Sequence, residues 1–246
     1  MEKYKQVIIA NWKMKLDLEE SVALAIELKG KLEDFYLEDK KVVLCPSFLA
    51  VHDVAEVLKG SEIALGAQDV FYEKNGSYTG EISAEDLKEL DCQYVIVGHS
   101  DRRAMGETDQ IVNKKIKAVL ANKMIPIICV GETLKEYEEG LTKQVLARQV
   151  SGALANLDNQ YFLLTYEPVW SISTSGSGET IGPAEAIKQI DIIKENIPKH
   201  LNNFDIIYGG SVTDKTVADF SKKFSGALVG GASLKAQTFF DLIKNS

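Results

Sequence analysis

Glu167 stands directly before Pro168 in the stretch Thr165-Tyr166-Glu167-Pro168-Val169-Trp170. The apolar run Phe162-Leu163-Leu164 reads as a buried strand, so this carboxylate falls where the strand ends. A serine- and glycine-rich run follows it. An acid at a strand's carboxyl end, ahead of a mobile segment, suits a base that meets a small molecule under a closing lid. His99 occupies a comparable place in Gly98-His99-Ser100-Asp101. Ser100 and Asp101 look like the start of a short helix, whose positive end disfavours imidazolium and leaves a neutral ring to donate to a carbonyl oxygen. Asn11 and Lys13 lie two apart on an extended segment and so point the same way. Gly209-Gly210-Ser211 and Gly230-Gly231 are two glycine pairs whose backbone N–H groups can approach an anion closely. Lys13 would add a full positive charge to that cradle.

The elements that must position these residues repeat through the chain. Eight short apolar runs recur: Val7 to Ala10, Val42 to Cys45, Ile63 to Leu65, Tyr94 to Val97, Pro126 to Val130, Phe162 to Leu164, Asp205 to Tyr208, and Ala227 to Val229. Their near-continuous apolarity, without alternation, indicates strands covered on both faces, as in parallel sheets. Helical periodicity lies between them. One stripe is Val22, Ala25, Ile26 and Leu28; another segment starts at Pro183, carries Ala186, Ile187, Ile190 and Ile193, and stops before Pro198. Alternation of this kind implies an α/β fold. Eight units in 246 residues predict a single closed (β/α)8 barrel, one domain over residues 1–246. An open doubly wound sheet would want a glycine fingerprint after the first strand, where Asn11-Trp12-Lys13-Met14 stands instead. In a barrel, all the residues singled out above sit at one rim, and the glycine pairs follow the last two strands, where barrels commonly hold phosphate.

A net charge of −8, with scattered lysines, argues against nucleic acid as a partner. Three cysteines without CxxC spacing fit a reduced compartment, with each thiol a small core residue and no zinc site. The four apolar residues from Val7 are too few for a signal-peptide core, and no run approaches a membrane span. A cytoplasmic enzyme that meets no membrane is expected. His52 and His200, on helical or connecting segments, read as structural.

Ordered motifs carry a resemblance along essentially the whole chain: Ala10-Asn11-Trp12-Lys13-Met14, Gly66-Ala67-Gln68, Tyr78-Thr79-Gly80-Glu81-Ile82-Ser83, Val97-Gly98-His99-Ser100, Cys129-Val130-Gly131-Glu132, Tyr166-Glu167-Pro168-Val169-Trp170, Tyr208-Gly209-Gly210-Ser211 and Leu228-Val229-Gly230-Gly231-Ala232. The chain resembles the triosephosphate isomerase family. That resemblance implies interconversion of dihydroxyacetone phosphate and glyceraldehyde 3-phosphate, in glycolysis and gluconeogenesis, with no metal and no cofactor. It implies that Glu167 moves the proton, that His99 polarises the substrate oxygens, and that Lys13 and Asn11 hold the enediolate and the substrate. Phosphate would fall to the backbone of Ser173, Ser211, Gly230 and Gly231. Thr79 would reach a partner subunit beside its Asn11, implying a homodimer.

Two departures from the family's pattern stand out. After Trp170 the family normally reads Ala-Ile-Gly-Thr-Gly with a short basic hinge, whereas this chain reads Ser171-Ile172-Ser173-Thr174-Ser175-Gly176-Ser177-Gly178-Glu179. Altered lid kinetics with intact proton transfer are expected. Asp101 replaces a glutamate and, one methylene shorter, is expected to hold Lys13 less firmly. Two alternatives stay open: another phosphate-binding barrel enzyme with a broader pocket, and a phosphosugar-binding protein disabled by its lid.

Overall fold

Eight parallel strands close on themselves in sequence order: β1 (Gln6–Asn11), β2 (Lys40–Cys45), β3 (Ala64–Ala67), β4 (Tyr94–Val97), β5 (Ile125–Val130), β6 (Phe162–Tyr166), β7 (Phe204–Tyr208) and β8 (Gly226–Val229). β1 pairs with β8 from Val7 opposite Gly226 to Ala10 opposite Val229, which seals the barrel. The structure is a computed structural model describing residues 5–37, 39–172 and 181–246. Among these residues ten helices follow the strands: α1 (Leu18–Glu33), α2 (Val51–Leu58), α3 (Ala84–Glu89), α4 (Ser100–Ala104), α5 (Asp109–Ala121), α6 (Leu134–Glu138), α7 (Thr142–Ala153), α8 (Pro183–Glu195), α9 (Val217–Ser221) and α10 (Ala236–Asn245).

Two apolar layers explain the unbroken apolarity of the strands. Val7, Ile9, Val43, Ile96, Ile127, Leu163, Ile207 and Leu228 fill the barrel, while Ile8, Ala10, Val42, Leu44, Val95, Ile128 and Leu164 face the helices. Each strand therefore buries both faces, and the alternation that marks a half-exposed strand is erased. The alternation persists in space, with a consequence for the site. Val7 and Ile9 point inward, so Asn11, two residues on, points inward at the rim; Trp12 joins the outer layer. In the same way Leu163 and Thr165 lead to Glu167.

Local signals set the helix ends. Asp17 caps α1, accepting from the Glu20 amide while Glu20 accepts in return from the Asp17 amide. Pro183 opens α8 behind Gly182, as its sequence position predicts. The buried face of α1 is rotated from the stripe read in the sequence: Leu24, Ala25, Leu28 and Leu32 are buried, whereas Ile26 is 57% exposed. A stripe of four apolar residues admits two neighbouring faces, and the aliphatic pair Leu24 and Leu32 decided between them. Among the described residues no helix is long and apolar enough to cross a membrane. Cys45, Cys92 and Cys129 are buried free thiols, and burial raises the pKa of each, that of Cys92 to about 12.

Candidate active site

Glu167 leaves β6 with its amide donating to the Val130 carbonyl at 2.8 Å, which extends the β5–β6 pairing one residue past the strand. The residue is 2% exposed, and its side chain meets three donors. Ser100 donates from its amide to Oε2 at 3.1 Å and from its hydroxyl to Oε1 at 2.9 Å. His99 Nε2 lies 3.0 Å from Oε1. Burial by itself would raise the Glu167 pKa, but the hydrogen bonds from His99 and Ser100 act against it and hold the carboxyl below its ordinary value.

His99 follows Gly98, whose φ of 69° turns the chain as β4 ends. The ring caps α4: Nδ1 accepts the Asp101 amide at 3.0 Å. Burial lowers the imidazole pKa, and the adjoining Glu167 carboxylate raises it above the ordinary value. The Asp101 N–H works against that charge, because it fills the lone pair a second proton would need. The occupied lone pair decides for a neutral ring carrying its proton on Nε2, facing Glu167.

Lys13 adopts a left-handed backbone, φ 50°, at the mouth of β1. Such a conformation costs about 1–3 kcal/mol in a residue other than glycine, and it persists only where neighbours impose it. Asn11 Oδ1 accepts the Lys13 amide at 3.0 Å, and Gln68 Nε2 donates to the Lys13 carbonyl at 2.8 Å and to the Cys45 carbonyl at 3.0 Å. Lys13 Nζ stands 3.0 Å from Asp101 Oδ2. At that distance the shorter acid still reaches the ammonium.

One cavity of about 250 Å³ gathers Asn11, Lys13, His99, Glu167, Ser211, Gly230 and Gly231. Its floor is strand ends, and its far wall is the two glycine segments. Gly209 packs so tightly that a Cβ there would lie 2.6 Å from Thr165 Cγ2 and 3.3 Å from Glu167 Cβ. Gly231 opens a single helical turn through Leu234, and the first N–H groups of such a turn have no partner within it. The Ser211 amide donates to the Ser171 carbonyl at 3.1 Å, so it must leave that partner to serve an anion. Thr79 lies apart, exposed in the 68–83 loop. Ser173 and the rest of the anticipated lid, residues 173–180, fall outside the described residues.

Several groups that shape the site carried no assigned role in the sequence reading. Glu132 is fully buried and accepts from Tyr166 Oη at 3.1 Å and Trp170 Nε1 at 3.0 Å, with burial raising its pKa. Gln68, Ser100, Arg103 and Gln149 likewise act on residues remote in sequence. His52 pairs with Asp53 and His200 with the Leu157 carbonyl, both away from the cavity. Among the described residues no cluster of His, Cys, Asp and Glu could hold a metal ion.

A carboxylate, a neutral imidazole and an ammonium facing one cavity, opposite backbone amides suited to an anion, can move a proton beside a carbonyl. On an eight-stranded parallel barrel, at the carboxyl ends of its strands, that set defines a barrel isomerase. The chain belongs to the triosephosphate isomerase family, whose sequence model matches residues 6–246. It is 43% identical over 251 residues to a triosephosphate isomerase of Dehalococcoides mccartyi (strain CBDB1), covering 98% of this chain and 97% of that protein. The triosephosphate isomerase of Endomicrobium trichonymphae is also 43% identical, covering 98% of this chain and 99% of its own length. That of Clostridium tetani is 40% identical, with 97% of this chain and 96% of the relative covered. The reaction is therefore the interconversion of triose phosphates.

Proposed function

We propose that Glu167 carries the proton between the two adjacent carbons of the substrate, dihydroxyacetone phosphate on one side and D-glyceraldehyde 3-phosphate on the other. The carboxylate takes a proton from the carbon beside the carbonyl. The C–H electron pair becomes the carbon–carbon double bond, and the carbonyl pair moves to oxygen, giving an enediolate. His99 Nε2–H gives its proton to the former carbonyl oxygen and takes back the proton of the neighbouring hydroxyl, so the O–H hydrogen changes oxygens as the C–H hydrogen changes carbons; Lys13 Nζ supplies the compensating charge, and Asn11 holds both Lys13 and the substrate. Glu167 then returns its proton to the neighbouring carbon. Aldehyde and ketone differ only in where two hydrogens sit, so the cycle consumes no redox cofactor.

The single observation that carries this reading is the trio of donors on Glu167, two from Ser100 and one from His99. They keep the base ionised and idle at 2% exposure until a substrate replaces them. Losing them inside a cavity emptied of water raises its basicity at the moment a C–H bond arrives. A general base alone contributes roughly 10²–10⁴, so the electrostatic share from His99 and Lys13 is required as well.

Phosphate binding belongs in this reading to the amides of Gly230 and Gly231, to Ser211 once its amide leaves Ser171, and to Ser173. The protein works as a homodimer in the cytoplasm, each subunit a single barrel domain over residues 1–246. Met14, Leu49 and Tyr78 support the dimer: they stand 92%, 88% and 43% exposed in the segments after three adjacent strands, and Tyr78 adjoins Thr79 in sequence. The buried free thiols support the reducing compartment. A coupled assay with glyceraldehyde 3-phosphate, run on the parent and on Glu167→Gln, tests the assignment. Turnover is expected in the parent and a loss of at least about 10²-fold in the variant; equal rates would remove Glu167 from the chemistry.

A further inference from the structure

We infer that Gln149, on α7, is a positioning residue for Glu167, acting through the backbone of Gly131. The inference rests on Glu167 being the base. In a parallel strand the N–H and C=O of one residue face one neighbour, and those of the next residue face the other. Val130 and Glu132 face β6: their carbonyls accept the amides of Glu167 at 2.8 Å and Val169 at 3.0 Å. Gly131, between them, faces the side of β4. β4 ends at Val97, opposite Ile128, because the chain turns at Gly98 to present His99. Past Ile128, β5 therefore has no strand on that side.

Side chains supply what β4 no longer can. Arg103 donates from Nη2 to the Cys129 carbonyl at 3.3 Å and from Nε to the Gly98 carbonyl at 2.8 Å. Gln149 is 5% exposed, and its amide meets both groups of Gly131: the Gly131 N–H donates to Oε1 at 2.8 Å, and Nε2 donates to the Gly131 carbonyl at 3.1 Å. The primary amide has the donor and acceptor of a peptide group and stands in for the absent strand.

Gly131 is also the surface against which the Glu167 backbone rests, since a Cβ on it would lie 1.8 Å from the Glu167 carbonyl oxygen. The two-point clamp on Gly131 thus sets where the Glu167 main chain runs and where its carboxylate can swing. No other side chain in the described structure bonds both polar groups of a rim residue in this way next to the base.

Gln149→Met keeps the volume and removes both bonds. Rates are measured per active site, counted by titration with a phosphorylated enediolate analogue, beside the parent and Glu167→Gln. The expected result is a fall in kcat of about 10- to 100-fold, since a displacement near 1 Å is enough for that. The KM for glyceraldehyde 3-phosphate and competitive inhibition by inorganic phosphate are expected to stay within about twofold, because the phosphate cradle lies across the cavity. Should Gln149→Met not fold, Gln149→Glu, which still accepts the Gly131 amide, is expected to show the same split with a smaller loss. A parent kcat per site in whichever variant folds, even with a lowered Tm, overturns the inference, as does a loss of kcat matched by an equal loss of phosphate affinity. If Glu167→Gln turns over normally, the base assignment fails; if it is inactive while Gln149→Met is not, only the positioning role fails.

Discussion

Gly131→Ala places one methyl group where the structure leaves no room. The new Cβ would sit 1.8 Å from the Glu167 oxygen and 2.5 Å from its carbonyl carbon, where ordinary contact begins near 3.4 Å. The shortfall of 1.6 Å falls on backbone atoms of both strands, not on a side chain that could rotate away. Val130 and Glu132 tie Glu167 and Val169 to the same strip of β5, so the two chains must separate or shear, and Glu167 takes up on the order of 1 Å. A misplacement of that size costs about 10² in kcat, or about 2.7 kcal/mol of transition-state stabilisation. Overpacking costs a further 1–3 kcal/mol or so in stability. At this chain length each kcal/mol lowers Tm by about 2–4 °C. Steady-state kinetics and calorimetry read the two effects separately. Gly30→Ala, on the open face of α1 with nothing within 4 Å, is the matched control and is expected to leave kcat unchanged. A Gly131→Ala enzyme with kcat within about twofold of the parent would refute the argument that Glu167 is located by contact with β5.

Ser100→Ala removes the hydroxyl bond to Glu167 at 2.9 Å and leaves the amide bond and His99. The native carboxyl is held below its ordinary value, so losing one of the holding bonds lets it protonate at a higher pH. The acid limb of the kcat/KM profile is expected to move upward, and an unmoved limb would count against the donor trio. The depressed pKa also stabilises the fold above the unfolded value and ceases to do so as pH falls through the folded one. Ser100→Ala should therefore be less stable than the parent at neutral pH, with the gap closing in acid. Lys115→Met strips Glu107 of its buried cation and leaves Asp69, bonded by Lys115 at 2.6 and 2.8 Å, with Arg102 at 2.9 Å; the Lys115 and Glu107 side chains are both 4% exposed. Breaking a buried ion pair costs about 3–5 kcal/mol, so Tm should drop by at least about 6 °C, and a calorimetric change under about 2 °C would show the charges to be relieved elsewhere.

Much of the architecture was legible because it is written locally. All eight apolar runs became strands, β4 with the same bounds, since a strand buried on both sides leaves an unbroken run that turn residues interrupt. Glu167, His99, Asn11 and Lys13 were legible as polar residues at strand ends, and the barrel gathers them on one cavity. What stayed hidden are partnerships across the chain. Gln149 bonds Gly131 18 residues away, Ser100 bonds Glu167 across 67, and Gln68 reaches Lys13 across 55. A glutamine in a helix gives no local sign of such a partner. The face of α1 was misjudged for a different reason: Leu24 and Leu32, which the stripe through Val22 and Ile26 left out, extend the buried face.

Where β4 stops, the barrel passes from a scaffold held by main-chain ladders to one held by Arg103 and Gln149. A ladder bond is made by main-chain groups that every residue but proline carries in full. A bond supplied by a side chain is spelled out in the gene and can be rewritten by one substitution. On the β4 side of the rim, the main-chain partner has given way to groups that single substitutions can remove. Selection can adjust the placing of the carboxylate by single letters, without disturbing the closure on which folding depends.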